Sequence, residues 1–302
     1  MNIGRSMHGP GLLLALLLAW PPLAVAETLA YQVTYRGVFS AFQDVAIGDV
    51  QLEVDATGVS LDGQPIVRAW LSASSAAYPL VEEFYPYRYE FTSYHQPDAA
   101  RSLAFERRKQ TSKLRHDLLL LDWAGDEIRR FGISQTPDAA SGEEPPPELF
   151  TALRRAGLPY HQAQFVPHPG SLATPPRDTL DRLALLQQVR DLDLVAGASR
   201  ELTVTDGKEF IAYRATVAMR ELVPTAAGPI PAWKVRIEGF ETNDPEERPR
   251  HAPVYVWLDE GPRRLPLRFV SHHPAGKFTV DLQPQAAQTA AVAGRPDLPI
   301  LY

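Results

Sequence analysis

Few residues in this chain are placed to do chemistry, and their spacing argues against most reactions. There is no cysteine, so no thiol nucleophile exists. No serine stands in a Gly-x-Ser-x-Gly elbow, the sharp turn that exposes a hydrolase nucleophile. A metal site needs clustered ligands, and the candidates are His161 with His168, His272 with His273, and Asp191 with Asp193. Adjacent strand residues point to opposite faces, so His272 and His273 cannot both aim at one ion. His161 and His168 fall among prolines, and Asp191-Leu-Asp193 reads as the end of a helix. The paired carboxylates Glu82-Glu83, Glu143-Glu144 and Glu246-Glu247 are neighbours in sequence, whereas glycosidase chemistry needs two carboxyls across a cleft. The residues point to no catalytic group, metal or cofactor.

Two clusters suit binding better than catalysis. Arg107, Arg108, Lys109, Lys113 and Arg115 surround an expected hairpin. Guanidinium forks match phosphate or carboxylate groups, and charge on a hairpin also protects strand edges from unwanted pairing. Tyr78, Phe84, Tyr85, Tyr87, Tyr89, Phe91 and Tyr94 crowd one region. Aromatics with one polar end line grooves and also pack well in strands. The candidate ligand contacts are therefore Arg107, Arg108 and Lys113 for a charged group, and Tyr87, Tyr89 and Phe91 for an apolar one.

The elements that must position these residues are mostly strands. Apolar and polar residues alternate at Tyr31–Tyr35, Val50–Val54 and Tyr87–Phe91, and again at Ile211–Met219, Trp233–Ile237, Val254–Leu258, Leu265–Phe269 and Phe278–Leu282. That pattern fits an antiparallel sheet with one apolar face. Trp257 falls on the face opposite Val254, Val256 and Leu258. Asp206-Gly207 and Asp259-Glu-Gly-Pro262 are turns. Residues 134–177 are rich in proline, which lacks the ladder amide, so no sheet is expected there apart from a short helix at Glu148–Ala156. A second helix is expected from Asp178, capped by that carboxylate, with Leu180, Leu183, Leu186 and Val189 on its buried face.

The N-terminus has Arg5, an apolar run over Leu12–Trp20, two prolines, and Ala24-Val-Ala26. This is the layout of a secretory signal peptide cleaved after Ala26, and the run is short for a membrane span. The reading gives residues 1–26 as signal, 27–283 as one β-rich domain with a proline-rich insertion near 134–177, and 284–302 as a weakly ordered tail. The location expected is periplasmic, with no transmembrane anchor. A net charge of −6 argues against nucleic acid.

The opening Tyr31-x-Val-x-Tyr35-x-Gly37, the helix ending at Arg190 and the Asp206-Gly-Lys208 hairpin follow one another in an order that looks familiar. So do the closing runs Val254-Tyr-Val-Trp257-Leu-Asp259 and Arg264-Leu-Pro266-Leu-Arg268. The chain resembles the exported proteins of the domain of unknown function 3108 family. The resemblance implies a β-rich exported protein and carries no catalytic residues. The fold expected is mainly β: a strongly curved antiparallel sheet or half-open barrel with one or two covering helices, like the periplasmic lipoprotein carriers. A helix of about 12 residues spans only about 18 Å, less than a sheet of eight or more strands spaced about 4.8 Å apart. Sheet curvature, the proline-rich segment or a ligand must hide the surplus. The function expected is non-enzymatic binding of a hydrophobic or amphipathic ligand such as a lipid. The alternatives are a scaffold for another envelope protein and, third, a hydrolase without a recognisable motif.

Overall fold

The computed structural model describes residues 26–97, 99–134, 148–156, 164–167, 174–241 and 249–284. Within them, fourteen strands form one antiparallel sheet, and α-helices are short. In chain order the strands are β1 (Glu27–Gly37), β2 (Val45–Leu61), β3 (Gln64–Ser74), β4 (Arg88–His95), β5 (Ser102–Gln110), β6 (Leu114–Asp122) and β7 (Glu127–Ser134). There follow β8 (Gln164–Pro167), β9 (Ser199–Thr205), β10 (Phe210–Thr225), β11 (Gly228–Glu241), β12 (Val254–Asp259), β13 (Pro266–His273) and β14 (Gly276–Leu282). The helices are α1 (Pro79–Phe84), α2 (Glu148–Arg155) and α3 (Arg182–Arg190). Two meanders run outward from the β1–β14 pair, one ending at β8 and the other at β9.

The sheet curls around α3 without closing into a barrel. Leu183 of α3 packs on Ala69, Phe105, Leu119 and Ile128 of the first meander. Ala184, Leu185 and Val189 pack on Val204, Ala215, Val235 and Val256 of the second. A helix apolar around most of its girth belongs inside a core, and α3 is enclosed in this way. The seam is stitched by the segment before α3. Leu180 N–H donates to Thr203 O at 2.8 Å and Leu180 O accepts from Thr205 N–H at 2.9 Å, while Ser102 N–H reaches Thr179 O at 3.3 Å. The β9–β10 turn then nests on β6 and β7. Gly207 there has φ +86, and a Cβ on it would lie 2.6 Å from the Leu119 side chain, so glycine is needed for both shape and space.

The outer face has its own cover. Leu149, Phe150 and Leu153 of α2 bury Tyr94, Ala104, Leu118, Leu120 and Phe131. On the second meander the twisted β10–β11 hairpin brings Val223 and Ala232 over Trp257, Leu267 and Val270.

The structure corrects two expectations. The second helix starts at Arg182, because Asp181 is the residue whose carboxylate accepts the first-turn amides of Leu183 and Ala184 at 2.8 and 3.1 Å. Asp178 instead takes φ +65, outside the helical region. The proline-rich stretch also contains a strand, since β8 pairs with β7 at the sheet edge, where the missing amide of terminal Pro167 breaks no central ladder. Strand β7 had no alternation to reveal it, because Ile128 and Arg130 share one face and Arg129 and Phe131 the other. Residues 1–25 of the segment expected as a signal peptide, most of the proline-rich segment, His161, His168, Glu143, Glu144, Glu246, Glu247 and the tail beyond 284 lie outside the described residues.

Candidate functional site

Cross-strand register decides which side chains face α3. Ser93 on β4 donates to Asp181 at 2.6 Å, so it points inward. Tyr87, Tyr89 and Phe91 share the parity of Ser93 and point inward too. Their partners across β5 are Lys109 opposite Tyr89 and Arg107 opposite Phe91. On β6, Arg115 lies opposite Lys109 and Asp117 opposite Arg107. The concave face beside the N-terminus of α3 therefore carries a row of aromatics beside a row of cations.

These side chains form one connected layer. Phe91 and Phe105 stack with parallel planes at 6.1 Å, and Tyr87 and Tyr89 at 5.3 Å. The Lys109 ammonium sits over both Tyr89 and Phe91, 5.7 and 5.4 Å from the ring centres. Arg107 pairs with Asp117 at 3.2 Å. Lys109 holds its proton less tightly than an ordinary lysine. Burial is the main cause, followed by the nearby charges of Arg107 and Arg182, with Arg115 adding to them and Asp117 opposing. Four cations thus converge where a single carboxylate opposes them, a field suited to an anion.

The sequence-derived candidates separate on this geometry. Arg107, Tyr87, Tyr89 and Phe91 come together on the concave face. Arg108 is on the convex face, opposite Arg107 in parity, and is paired with Glu90 at 3.1 Å. Lys113 stands exposed in the turn between β5 and β6, outside the strand rows. Lys109 and Arg182 complete the site. Lys109 shares the parity of Arg107, so the register that turns Arg107 inward turns Lys109 inward too; no spacing signal could have placed Arg182, since it arrives with α3.

Two candidates border a second, convex feature. Tyr87 and Arg108 line an open groove of about 470 Å³ with Glu82, Arg88 and Glu90. Its charges are already matched. Arg88 forks onto Glu82 at 2.8 and 2.9 Å, and the Glu82 carboxyl, held also by Ser75, is lowered to about 2. Tyr87 passes its phenol inward over Gly48 to donate to Ile47 O at 3.1 Å, and a Cβ at Gly48 would fill that space.

Much of the concave face is not fully covered by α3. Val50, Leu71, Tyr89, Phe91, Tyr213, Phe269 and Phe278 remain half-buried on it. Among the described residues no three His, Asp or Glu side chains converge as metal ligands would. His272 and His273 end β13 in exposed positions.

Residues 168–283 match the profile of a family described as protein of unknown function (DUF3108). The match supports membership of that family. The DUF3108 match spans α3, the Asp206-Gly207 hairpin and the closing strands, while the opening strand β1 and the aromatic and basic rows of β4–β6 lie outside it. No curated protein matches the chain. Among solved structures, the chain is similar to a β-barrel-like protein of domain of unknown function DUF1849 from Brucella abortus, at 10% identity and a TM-score of 0.48, covering 84% of this chain and 94% of that one. No helix among the described residues is long and apolar enough to cross a membrane, which says nothing of strands.

Proposed function

We propose that this protein binds an amphipathic anionic molecule, such as a lipid, on the open part of its concave face, and that it performs no reaction on it. The observation that carries the reading is the row Tyr89–Phe91 lying against Lys109, with Arg107, Arg115 and Arg182 around that lysine. Half-buried aromatics supply the surface an acyl chain needs, and clustered cations supply the site for its head group. Titration with a fluorescent fatty acid, displaced by unlabelled lipid, tests this. Saturable, displaceable binding is expected, and its absence would sink the reading.

We further propose that the protein works outside the cytoplasm as one domain, released after Ala26. The warrant is the Ala24-Val-Ala26 signature behind a short apolar run. In support, strand β1 starts at Glu27, whose carboxylate already pairs with Arg190 at 2.7 Å. N-terminal sequencing of protein recovered from the envelope decides it.

A further inference from the structure

One edge of the sheet carries an unusual set of side chains. Register places the β13–β14 turn (Gly276 opposite Gly37), the β1–β2 connection, the β3–β4 connection (Ser74 opposite Arg88) and the β5–β6 turn (Gln110 opposite Leu114) side by side. Two of these connections push large apolar side chains into water. Val38, Phe39 and Phe42 do so between β1 and β2, and Leu80, Phe84 and Tyr85 do so on and after α1. Phe39 is 87% exposed and Phe84 79%, far from the burial that aromatics of this size normally find. The two connections are tied together at their bases, where Tyr78 donates to Asp49 at 2.6 Å and accepts from Gln32 at 3.2 Å.

The exposure is held by local structure. Ala41 and Phe42 both take positive φ, +48 and +61, which costs a residue with a side chain about 1 kcal/mol or more. The strain is retained by Phe42 N–H donating to Gly37 O at 2.9 Å and by Ser40 Oγ donating to Gln43 O at 2.7 Å. A short hydrogen-bonded loop is thus bent so that its phenyl rings face outward. The neighbouring β5–β6 turn adds exposed Lys113 and Arg115 around Leu114. The same edge carries Tyr89 and Lys109, half-buried on the concave face. Exposed carboxylates at Asp44 and Glu83 stand on this edge too, so apolar insertion has to supply most of any attraction.

We propose that this edge is a docking surface for a phospholipid bilayer, with Phe39, Phe42 and Phe84 entering the interfacial region and Lys113 and Arg115 lying at head-group level. Separate apolar tips flanked by basic side chains fit a soft, laterally uniform partner, and aromatic rings favour that boundary. The docking does not require the concave face to hold a ligand.

Co-sedimentation of the full mature chain with vesicles of phosphatidylethanolamine and phosphatidylglycerol is the test. Wild type is expected to bind. The combined variant Phe39→Ser, Phe42→Ser, Phe84→Ser is expected to weaken binding by more than about tenfold at an unchanged circular dichroism spectrum. A Phe39→Trp variant should show a blue-shifted emission on vesicles, quenched by brominated lipid. Wild type that stays in solution, or a triple variant that binds equally, would overturn the proposal. So would a wild-type dimer that the triple variant turns into a monomer, since the rings would then face a second copy. Lys109→Ala separates this from the ligand reading: it should lose the fatty-acid probe and keep the vesicles.

Discussion

Asp181 and Ser102 hold each other across the seam of the curled sheet. Ser102 Oγ donates to Asp181 Oδ2 at 2.6 Å and accepts from Asp181 N–H at 2.7 Å. The other carboxylate oxygen caps α3, and Ser93 donates a second bond to Oδ2. One fully buried carboxylate thereby ties β4, β5 and α3 together. Asp181→Ala removes the cap and strands two serine hydroxyls. The expected loss is about 3 kcal/mol by chemical denaturation. A loss below about 0.5 kcal/mol would show that the seam does not depend on this residue.

The same residue shows what could be read in advance and what could not. The sequence contains both Asp178 and Asp181 ahead of the apolar run, and either satisfies the rule for a helix start. Only the seam chooses between them, because Leu180 is taken by the β9 edge and cannot join the helix. Strand alternation was legible for the same reason that it always is: it needs only one apolar face. It paired Tyr87, Tyr89 and Phe91 on one side but could not connect Arg107 rather than Arg108 to that side, because register depends on partners distant in sequence. The mixed faces of β7 gave no pattern at all.

The other end of α3 rests on an ion pair. Arg190 forks onto Glu27 at 2.7 and 3.0 Å, and also donates to Arg263 O at 2.7 Å, with both charged side chains about 11% exposed. Glu27→Ala leaves the guanidinium largely buried without its anion. We expect a loss of about 3–5 kcal/mol. The double replacement Glu27→Leu, Arg190→Leu should recover part of it, and thermal unfolding of the three proteins tests the pattern.

Trp257 is structural and lies on the convex face. It is 7% exposed, donates its indole N–H to Glu221, and packs with Val223, Ala232, Leu267 and Val270 rather than with α3. Trp257→Ala should destabilise by about 3–5 kcal/mol. In the wild type its emission should not move when the fatty-acid probe binds at the opposite face. A probe-dependent shift confined to Trp257 would place the ligand on the wrong side.

Alkaline pH should unfold the protein through its tyrosines. Burial raises the Tyr87 and Tyr89 phenols to about 12, and Tyr31 higher still, from an ordinary 10.0. The folded state favours the neutral phenol, so this stability is complete below pH 10 and is lost as pH rises toward and past 12. Ultraviolet titration should show delayed ionisation that ends in one cooperative step. Tyrosines that all titrate near 10 in the folded protein would contradict their burial.

The concave cluster makes the sharpest statement about binding. Lys109 is depressed by burial and by Arg107, Arg182 and Arg115, so its ammonium is costly until an anion arrives. A bound anionic head group supplies the missing counter-charge and raises the lysine back toward its ordinary range. Binding of a fatty-acid probe should therefore take up protons at alkaline pH and weaken as pH climbs through the depressed Lys109 range. Lys109→Met keeps much of the contact with Tyr89 and Phe91 and removes the charge. It should weaken the probe by about tenfold, one charge-assisted contact, and abolish that pH dependence. Phe91→Ala should weaken binding and keep the pH dependence, because it removes apolar surface and one of the two rings under Lys109 but leaves the charge. Isothermal titration at two alkaline pH values, in buffers of different ionisation enthalpy, reads the proton uptake directly. Equal affinity for wild type and Lys109→Met across the range would remove the cations from the site and leave the aromatic row as packing.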